Sequence, residues 1–195
     1  MATPPVELVV PAEGLLPAYV SALRRGWSAD NIRGAVAAME ELARIESDPI
    51  GFIQTKADDR EAKGGPVRLP DGSEVRRLPG FFRWIWDGEF CGSISLRWQR
   101  GTAALPPHVL GHIGYAVVPW KRNRGYATTA LALMLDEARA VGLPYVELTA
   151  DPDNPVSEKV ILANGGVFME TFELPAQYGV GLQSFRYRVM LRREG

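Results

Sequence analysis

The stretch from Ile113 to Gly142 constrains this chain more than any other. Ile113-Gly114-Tyr115-Ala116-Val117-Val118 reads as a strand, and Pro119 closes it. Trp120 follows, then Lys121, Arg122, Arg124 and Gly125. A helix of small residues begins at once, with Ala127-Thr128-Thr129-Ala130 in its first turns. The spacing of Ala130, Leu131, Met134, Leu135 and Ala138 predicts that helix over Tyr126 to Val141, capped by Gly142. The first turn of a helix presents N–H groups without intrahelical acceptors and carries partial positive charge. Glycine and small side chains let an anion come close to them. With three cationic side chains alongside, the segment asks for a diphosphate, although a solvated basic turn before an amphipathic helix fits the same residues. Neither Gly-x-x-x-x-Gly-Lys-Ser/Thr nor a Gly-x-Gly-x-x-Gly after a strand is present, so the two commonest nucleotide motifs do not apply.

The rest of the chain supplies the frame for that segment. Its 195 residues suit one domain over 1–195, and 46% hydrophobic residues provide enough apolar material for a core. Val6 to Val10 is a short strand stopped by Pro11. Leu15 to Arg25 has helical apolar spacing at Leu15, Leu16, Tyr19, Val20 and Leu23. Ser28-Ala29-Asp30-Asn31 signals a turn before a second helix, whose apolar residues are Ile32, Val36, Met39, Leu42 and Ile45. A short third helix is expected around Ile50 to Thr55 and a charged loop over Lys56 to Gly65. Pro70-Asp71-Gly72-Ser73 marks a small hairpin, and Asp87-Gly88 a long one running from Phe81 to Leu96. Arg100 to Pro107 is a loop. After it, Tyr145 to Thr149 is a strand, Pro155 to Ala163 a helix ended by Asn164-Gly165-Gly166, and Val167 to Leu174 and Ser184 to Leu191 the last strands. The β–α–β–α–β order after residue 111 implies an α+β fold with a partly parallel centre in a largely antiparallel sheet.

Bulk properties narrow the class. The formal net charge is −1 and the basic residues gather at one loop, so neither nucleic acid nor an anionic membrane is an expected partner. One cysteine, Cys91, allows no internal disulfide. The first ten residues do not read as a signal peptide, and no apolar stretch of about 18 residues occurs. A cytoplasmic location follows as an expectation. Two histidines and one cysteine do not make a typical zinc site, so no metal is expected.

Arg122-x-x-Gly125-x-Ala127 matches the Gln/Arg-x-x-Gly-x-Gly/Ala signature of the GNAT superfamily of acyl-CoA N-acyltransferases. Ile113 to Pro119 looks like that family's fourth strand with its terminal proline. Asp153-Asn154-Pro155-Val156-Ser157 through Gly166 resembles its Asn-x-x-Ser/Ala motif, next helix and glycine turn. The resemblance covers roughly Gly111 to Leu191; the N-terminal half fits less specifically, and the middle looks like the bacterial predicted acetyltransferases. It implies a mixed, mostly antiparallel twisted sheet flanked by helices, with splayed central strands.

The resemblance also assigns roles. Acetyl-CoA would be the co-substrate. Main-chain groups of Val117 and Val118 would bond the pantetheine amides, and N–H groups from Arg122, Asn123, Arg124, Gly125, Tyr126, Ala127 and Thr128 would hold the pyrophosphate. Asn154 would bond the pantetheine region with Ser157 beside it; a plain helix cap is the alternative for Asn154. An N–H near Val117 would stabilise an oxyanion. His112 stands where many members carry a glutamate base, and its ordinary pKa of about 6.5 suits that task; a structural histidine is the competing reading. Glu147 is a second candidate base. The family's usual acid tyrosine falls on Ile161 here, which reads as core, so Tyr178 or Tyr115 would substitute for it, or the thiolate would take its proton from water. Direct attack needs no protein nucleophile, and Cys91 reads as core.

The acceptor groove would lie between Arg24 to Asn31 and Pro175 to Leu182. Trp27, Trp84, Trp86 and Trp98 would line an aromatic slot or, as is more usual, sit in the core. Asp30, Asp87 and Glu89 would attract an amine cation or simply be solvated. A small-molecule primary amine is the favoured acceptor. A non-catalytic acyl-CoA sensor and an enzyme acting on protein lysines or N-termini are the alternatives. A homodimer is among the arrangements the sequence allows.

Overall fold

In a computed structural model of the protein, residues 5–30, 33–69, 71–178 and 180–191 are described. Asn31, Ile32 and Pro70, named above as turn and helix residues, lie outside them. The chain forms two compact units. The first holds residues up to Asp58 with Phe81–Ser95 and Tyr115–Leu133; the second holds Asp59–Gly80, Leu96–Gly114 and residues from Met134 onward.

The first unit starts with β1 (Glu7–Val9), α1 (Leu16–Arg24), α2 (Ala35–Ser47) and α3 (Pro49–Thr55). Asp48 caps α3 by accepting from the Gly51 N–H at 2.8 Å, with Pro49 in the first turn. The expected long hairpin is β4 (Gly80–Trp86) and β5 (Phe90–Arg97), and β6 is Ile113–Val117. These strands form one sheet in the order β1-β4-β5-β6. β1 runs antiparallel to β4, with Leu8 opposite Ile85.

The core of this unit is aromatic. Tyr19 stacks on Trp84 with ring centroids 4.9 Å apart and meets Phe90 and Trp27 edge-on at 5.2 and 6.0 Å. Such pairs add about 0.5–1.5 kcal/mol each beyond area burial. The Tyr19 hydroxyl would be orphaned there, but it donates to Glu41 of α2, which also pairs with Lys56 Nζ at 2.8 Å. This explains a departure from the expected face of α2. Val36 and Met39 are exposed, while Ala37, Ala38 and Ile45 are buried and Leu42 packs against the core. Ala38, Glu41, Leu42 and Ile45 share one stripe at helical spacing, so the face turned inward carries small side chains and one carboxylate.

The second unit contains the two-stranded hairpin β2 (Val67–Arg68) and β3 (Glu74–Val75). Its main sheet comprises β7 (Tyr145–Ala150), β8 (Val167–Glu173) and β9 (Gln183–Met190) in the order β7-β9-β8, both pairings antiparallel. Period-two alternation buries Val146, Leu148 and Ala150 of β7 with Tyr187 and Val189 of β9. α5 (Pro155–Ala163) contributes Val160 and Ile161 to the buried set, and its Glu158 accepts from the Tyr187 hydroxyl at 2.7 Å. The edge strand β8 exposes Val167, Phe168 and Met169, with a bulge between Phe168 and Glu170.

α4 spans Tyr126–Val141 as predicted. It ends at Gly142, whose φ of 90° allows Leu143 N–H to reach the Ala138 carbonyl at 3.2 Å. β6 is the last strand of the first sheet and β7 the first strand of the other.

Candidate functional site

The basic loop is built by the exit from β6. Val118 N–H donates to the Cys91 carbonyl at 2.9 Å, tying the strand end to β5. Pro119–Lys121 then turns through one 3-10 turn. Asn123 and Gly125 take positive φ angles of 60° and 79°, which reverse the chain into α4. Thr129 N–H bonds the Gly125 carbonyl at 3.0 Å, so that is the first bond of the helix. The N–H groups of Tyr126 and Ala127 therefore belong to the turn with no carbonyl behind it. Arg122, Asn123, Arg124 and Gly125 are exposed, and nothing stands within 4 Å of where a Cβ on Gly125 would be. The loop is an open cradle of donors with two exposed guanidinium groups, which fits a diphosphate. Arg122 Nε donates to the Val117 carbonyl at 3.2 Å, folding that side chain back over the strand end.

Lys121 does not belong to the cradle. Its ammonium is buried and lies 2.8 Å from both carboxylate oxygens of Asp87, with Glu89 at 3.1 Å. Lys121 is thus not one of the loop cations that its sequence position suggests, and Asp87 is neither solvated nor turned towards an amine. Asp87 is 7% exposed and also accepts from the Tyr126 hydroxyl and, at 3.2 Å, from Glu89 N–H. Burial alone would raise its pKa, but the bonds from Lys121 and Tyr126 outweigh it and hold the carboxyl at about 2. Burial would lower the pKa of Lys121, but its bonds to Asp87 and Glu89 outweigh that and raise it. Cys91 is fully buried, and desolvation pushes its thiol up to about 12, so it stands as a protonated core residue.

In the second unit His112 is fully buried. Its Nδ1 accepts from Glu147 N–H at 2.9 Å and its Nε2 faces the Ala103 carbonyl at 3.1 Å. Only the tautomer protonated on Nε2 satisfies both bonds, and in that form the ring has no lone pair left. Burial lowers its pKa, partly offset by Glu147 and by the main-chain bonds. Glu147 faces two guanidinium groups, with Arg188 Nη2 at 2.6 Å and Arg186 Nη1 at 3.3 Å. Both lie on β9, where Arg188 is directly opposite Glu147 in the ladder. Tyr178, in the 3-10 turn Ala176–Tyr178, donates to the His108 carbonyl at 2.8 Å. Burial raises its pKa, and the charge of Arg97 offsets part of that. Sequence reasoning passed over Arg97, whose guanidinium comes within 3.4 Å of where a Cβ on Gly114 would stand.

Asn154 is the N-cap of α5. Its Oδ1 accepts from Ser157 N–H at 3.1 Å, and the side chain is exposed. Ile161, at the family's tyrosine position, is fully buried, as expected of core. Trp27, Trp84 and Trp98 are buried and Trp86 packs against the first unit's core, so the tryptophans build core rather than a slot. Asp30 accepts from Arg33 N–H at 2.9 Å. Among the described residues no helix is long and apolar enough to cross a membrane.

Residues 73–167 match the acetyltransferase (GNAT) domain family. The chain carries a GNAT acetyltransferase domain. It is an acyl-CoA-dependent N-acyltransferase with the mixed α+β fold of that family. No curated protein sequence matches it. Among solved structures, the microcin C7 self-immunity acetyltransferase MccE, in complex with acetyl-CoA and AMP, aligns at a TM-score of 0.62 and 14% identity, over 95% of this chain and 92% of that one. A spermidine N-acetyltransferase SpeG chimera from Vibrio cholerae and hSSAT aligns at 0.59 and 13%, over 95% of each. A Salmonella typhimurium acetyltransferase that modifies the N-terminal serine of ribosomal protein L7/L12 aligns at 0.57 and 17%, over 96% and 95%. At these identities the likeness is one of fold.

Proposed function

We propose that this GNAT acetyltransferase moves an acetyl group from acetyl-CoA to the primary amine of a small molecule by direct attack in a ternary complex. The observation that carries the reading is the open cradle at Arg122–Gly125, set against helix N–H groups at Tyr126 and Ala127. Acetyl-CoA supplies the activated acyl group and the leaving thiolate. The protein's own work is binding, orientation and proton movement.

The pyrophosphate would sit on the N–H groups from Asn123 to Ala127, the Arg122 N–H being given to the Pro119 carbonyl, with the Arg122 and Arg124 side chains adding charge. Val118 already spends its N–H on Cys91, which leaves Val117 as the strand residue to meet the pantetheine amides. Asn154 and Ser157 would take the next contact from the start of α5. A repeatedly crossing chain, with residues up to 58, 81–95 and 115–133 in one unit and the rest in the other, supports a single catalytic domain over 1–195.

The surroundings of each candidate support one course for the protons. His112 has both ring nitrogens bonded to main chain, so its role is to hold Glu147 and Ala103 in place. Both carboxylate oxygens of Glu147 are engaged by Arg188 and Arg186, so it is not aimed at an acceptor amine. The attacking amine therefore loses its proton to solvent. As the N–C bond forms and the C–S bond breaks, the Tyr178 hydroxyl would turn from the His108 carbonyl, give its proton to the thiolate and recover one from water; burial keeps that hydroxyl protonated at neutral pH.

The relatives include enzymes for a polyamine and for a protein N-terminus. The deciding experiment is acetyl-CoA with a panel of amines, including amino acids, polyamines, and peptides with a free N-terminal serine or a lysine, read by release of free thiol. Turnover confined to peptides would refute the small-molecule acceptor. Tight binding of acetyl-CoA without amine-dependent turnover across the panel would count against the acyl-transfer reading. Tyr178→Phe should lower kcat and leave the affinity for acetyl-CoA unchanged.

A further inference from the structure

Two buried side chains bracket the exposed loop, and both end on Asp87, with Lys121 also reaching Glu89 at 3.1 Å. Lys121 stands immediately before Arg122-Asn123-Arg124-Gly125 and Tyr126 immediately after it. Lys121 is 8% exposed and Tyr126 3% exposed, whereas the four residues between them are all exposed. Lys121 Nζ bonds both oxygens of Asp87 at 2.8 Å, and the Tyr126 hydroxyl bonds Oδ2. Asp87 is itself fixed by the turn between β4 and β5, where it accepts from Glu89 N–H and where Gly88 takes a φ of 98°.

We propose that Asp87 is the positioning residue of the acyl-CoA phosphate loop, pinning both of its ends so that the donors of Asn123 to Ala127 are already aimed before the ligand arrives. The inference rests on the reading of that loop as the pyrophosphate site. Its physical content is preorganisation. A loop that holds one non-glycine and one glycine residue at positive φ has other conformations open to it, and binding must otherwise take up the cost of selecting one. The carboxyl is held at about 2, so the clamp is charged throughout the range in which the enzyme would work.

Simple electrostatics and the clamp predict opposite signs. Asp87→Asn removes a negative charge from the neighbourhood of an anion site, and Coulomb's law alone then gives tighter binding. Loss of the clamp gives weaker binding. Tyr126→Phe changes no charge and removes only the hydroxyl bond, so it isolates the positional effect.

The test is calorimetric binding of coenzyme A to the full chain, with thermal melts alongside and KM and kcat measured for acetyl-CoA. Each variant should weaken coenzyme A by about tenfold, the scale of one lost preorganising contact, with the loss in KM rather than in kcat at saturation. Unchanged or tighter binding in either folded variant overturns the proposal, as does a fall in Tm with unchanged affinity, which marks a purely structural cluster. If Asp87→Asn does not fold, Tyr126→Phe decides alone. Gly125→Glu serves as the control on the loop itself, since it places a like charge in the open cradle. If wild-type affinity survives in Gly125→Glu, the loop reading fails and the clamp with it. If Gly125→Glu abolishes binding while Tyr126→Phe does not weaken it, only the clamp fails.

Discussion

Gly92 offers the sharpest test of how the β5–β6 pairing is built. Its φ is 152°, outside the range that L side chains readily adopt. A Cβ there would stand 2.9 Å from Val117 Cα and closer still to the Ala116 carbonyl oxygen, both main-chain atoms of β6 that have little room to yield. Gly92→Ala therefore meets two costs at once. A disallowed backbone conformation is worth about 1–3 kcal/mol. Overpacking against a fixed neighbour is worth about 1–3 kcal/mol more. The combined loss of roughly 2–6 kcal/mol is a large part of the 5–15 kcal/mol typical of a folded domain. At about 2–4 °C per kcal/mol for a chain of this size, Tm should fall by on the order of 10 °C. Gly14→Ala is the matched control, since a Cβ on Gly14 meets nothing within 4 Å; its effect should stay within about 0.5 kcal/mol. Thermal denaturation of the two variants and the parent settles the matter. A fall of less than about 3 °C for Gly92→Ala would show that β5 and β6 separate easily.

The buried, neutral His112 makes a prediction about pH. Its pKa is lowered on folding, so its contribution to stability is complete above about 6.5 and declines as the pH falls below that, where the unfolded chain takes up a proton first. Denaturant titrations at pH 7.5 and 5 should show this loss in the parent and not in His112→Ala, which should itself be destabilised by about 2–5 kcal/mol. The pH–rate profile should lack an inflection near 6.5; one that disappears in His112→Ala would restore the histidine as base. Asp87 works at the acid end. Its pKa of about 2 lies below the ordinary carboxylate value, so its stabilisation is intact above about pH 4 and lost as the pH falls towards 2. It amounts to about 2–3 kcal/mol, and acid unfolding of Asp87→Asn should lack that limb. Asn154→Asp keeps the helix cap while adding a negative charge. If Asn154 touches the cofactor, coenzyme A affinity falls at constant Tm; if affinity holds, the residue is a cap alone.

Local patterns carried most of the fold. α4 and α5 begin and end where the sequence predicts, because Gly142, Asn154-Pro155 and Gly165-Gly166 are caps whose chemistry is local. The strands follow for the same reason, from alternation and from turn residues such as Asp87-Gly88. What sequence reading missed depends on partners far away in the chain. Nothing near Lys121 says that its ammonium will be taken up 34 residues back by Asp87. A cation in a basic turn and an aspartate in a hairpin turn each look solvated until they are placed together. The same holds for His112, whose ring is filled by a main-chain N–H 35 residues on. The face of α2 was misjudged because Val36 and Met39 are more apolar than the alanines beside them. The inward face was set instead by the Tyr19 hydroxyl, which needed Glu41. The cradle itself was legible, since glycine, small residues and arginines within one turn are enough to suggest an anion.

The convergence of Lys121 and Tyr126 on Asp87 also bears on how this enzyme can diverge. The tip of the β4–β5 hairpin is the kind of exposed turn where substitutions and length changes are usually tolerated. Here it is not independent, because its first residue is shared with the two residues that flank the loop after β6. Descendants that lose the aspartate should lose the lysine too, or gain an acid from another position. Those that lengthen the hairpin should do so beyond Gly88. Positions 87, 121 and 126 would then drift as a set, while Arg122 and Arg124 vary on their own.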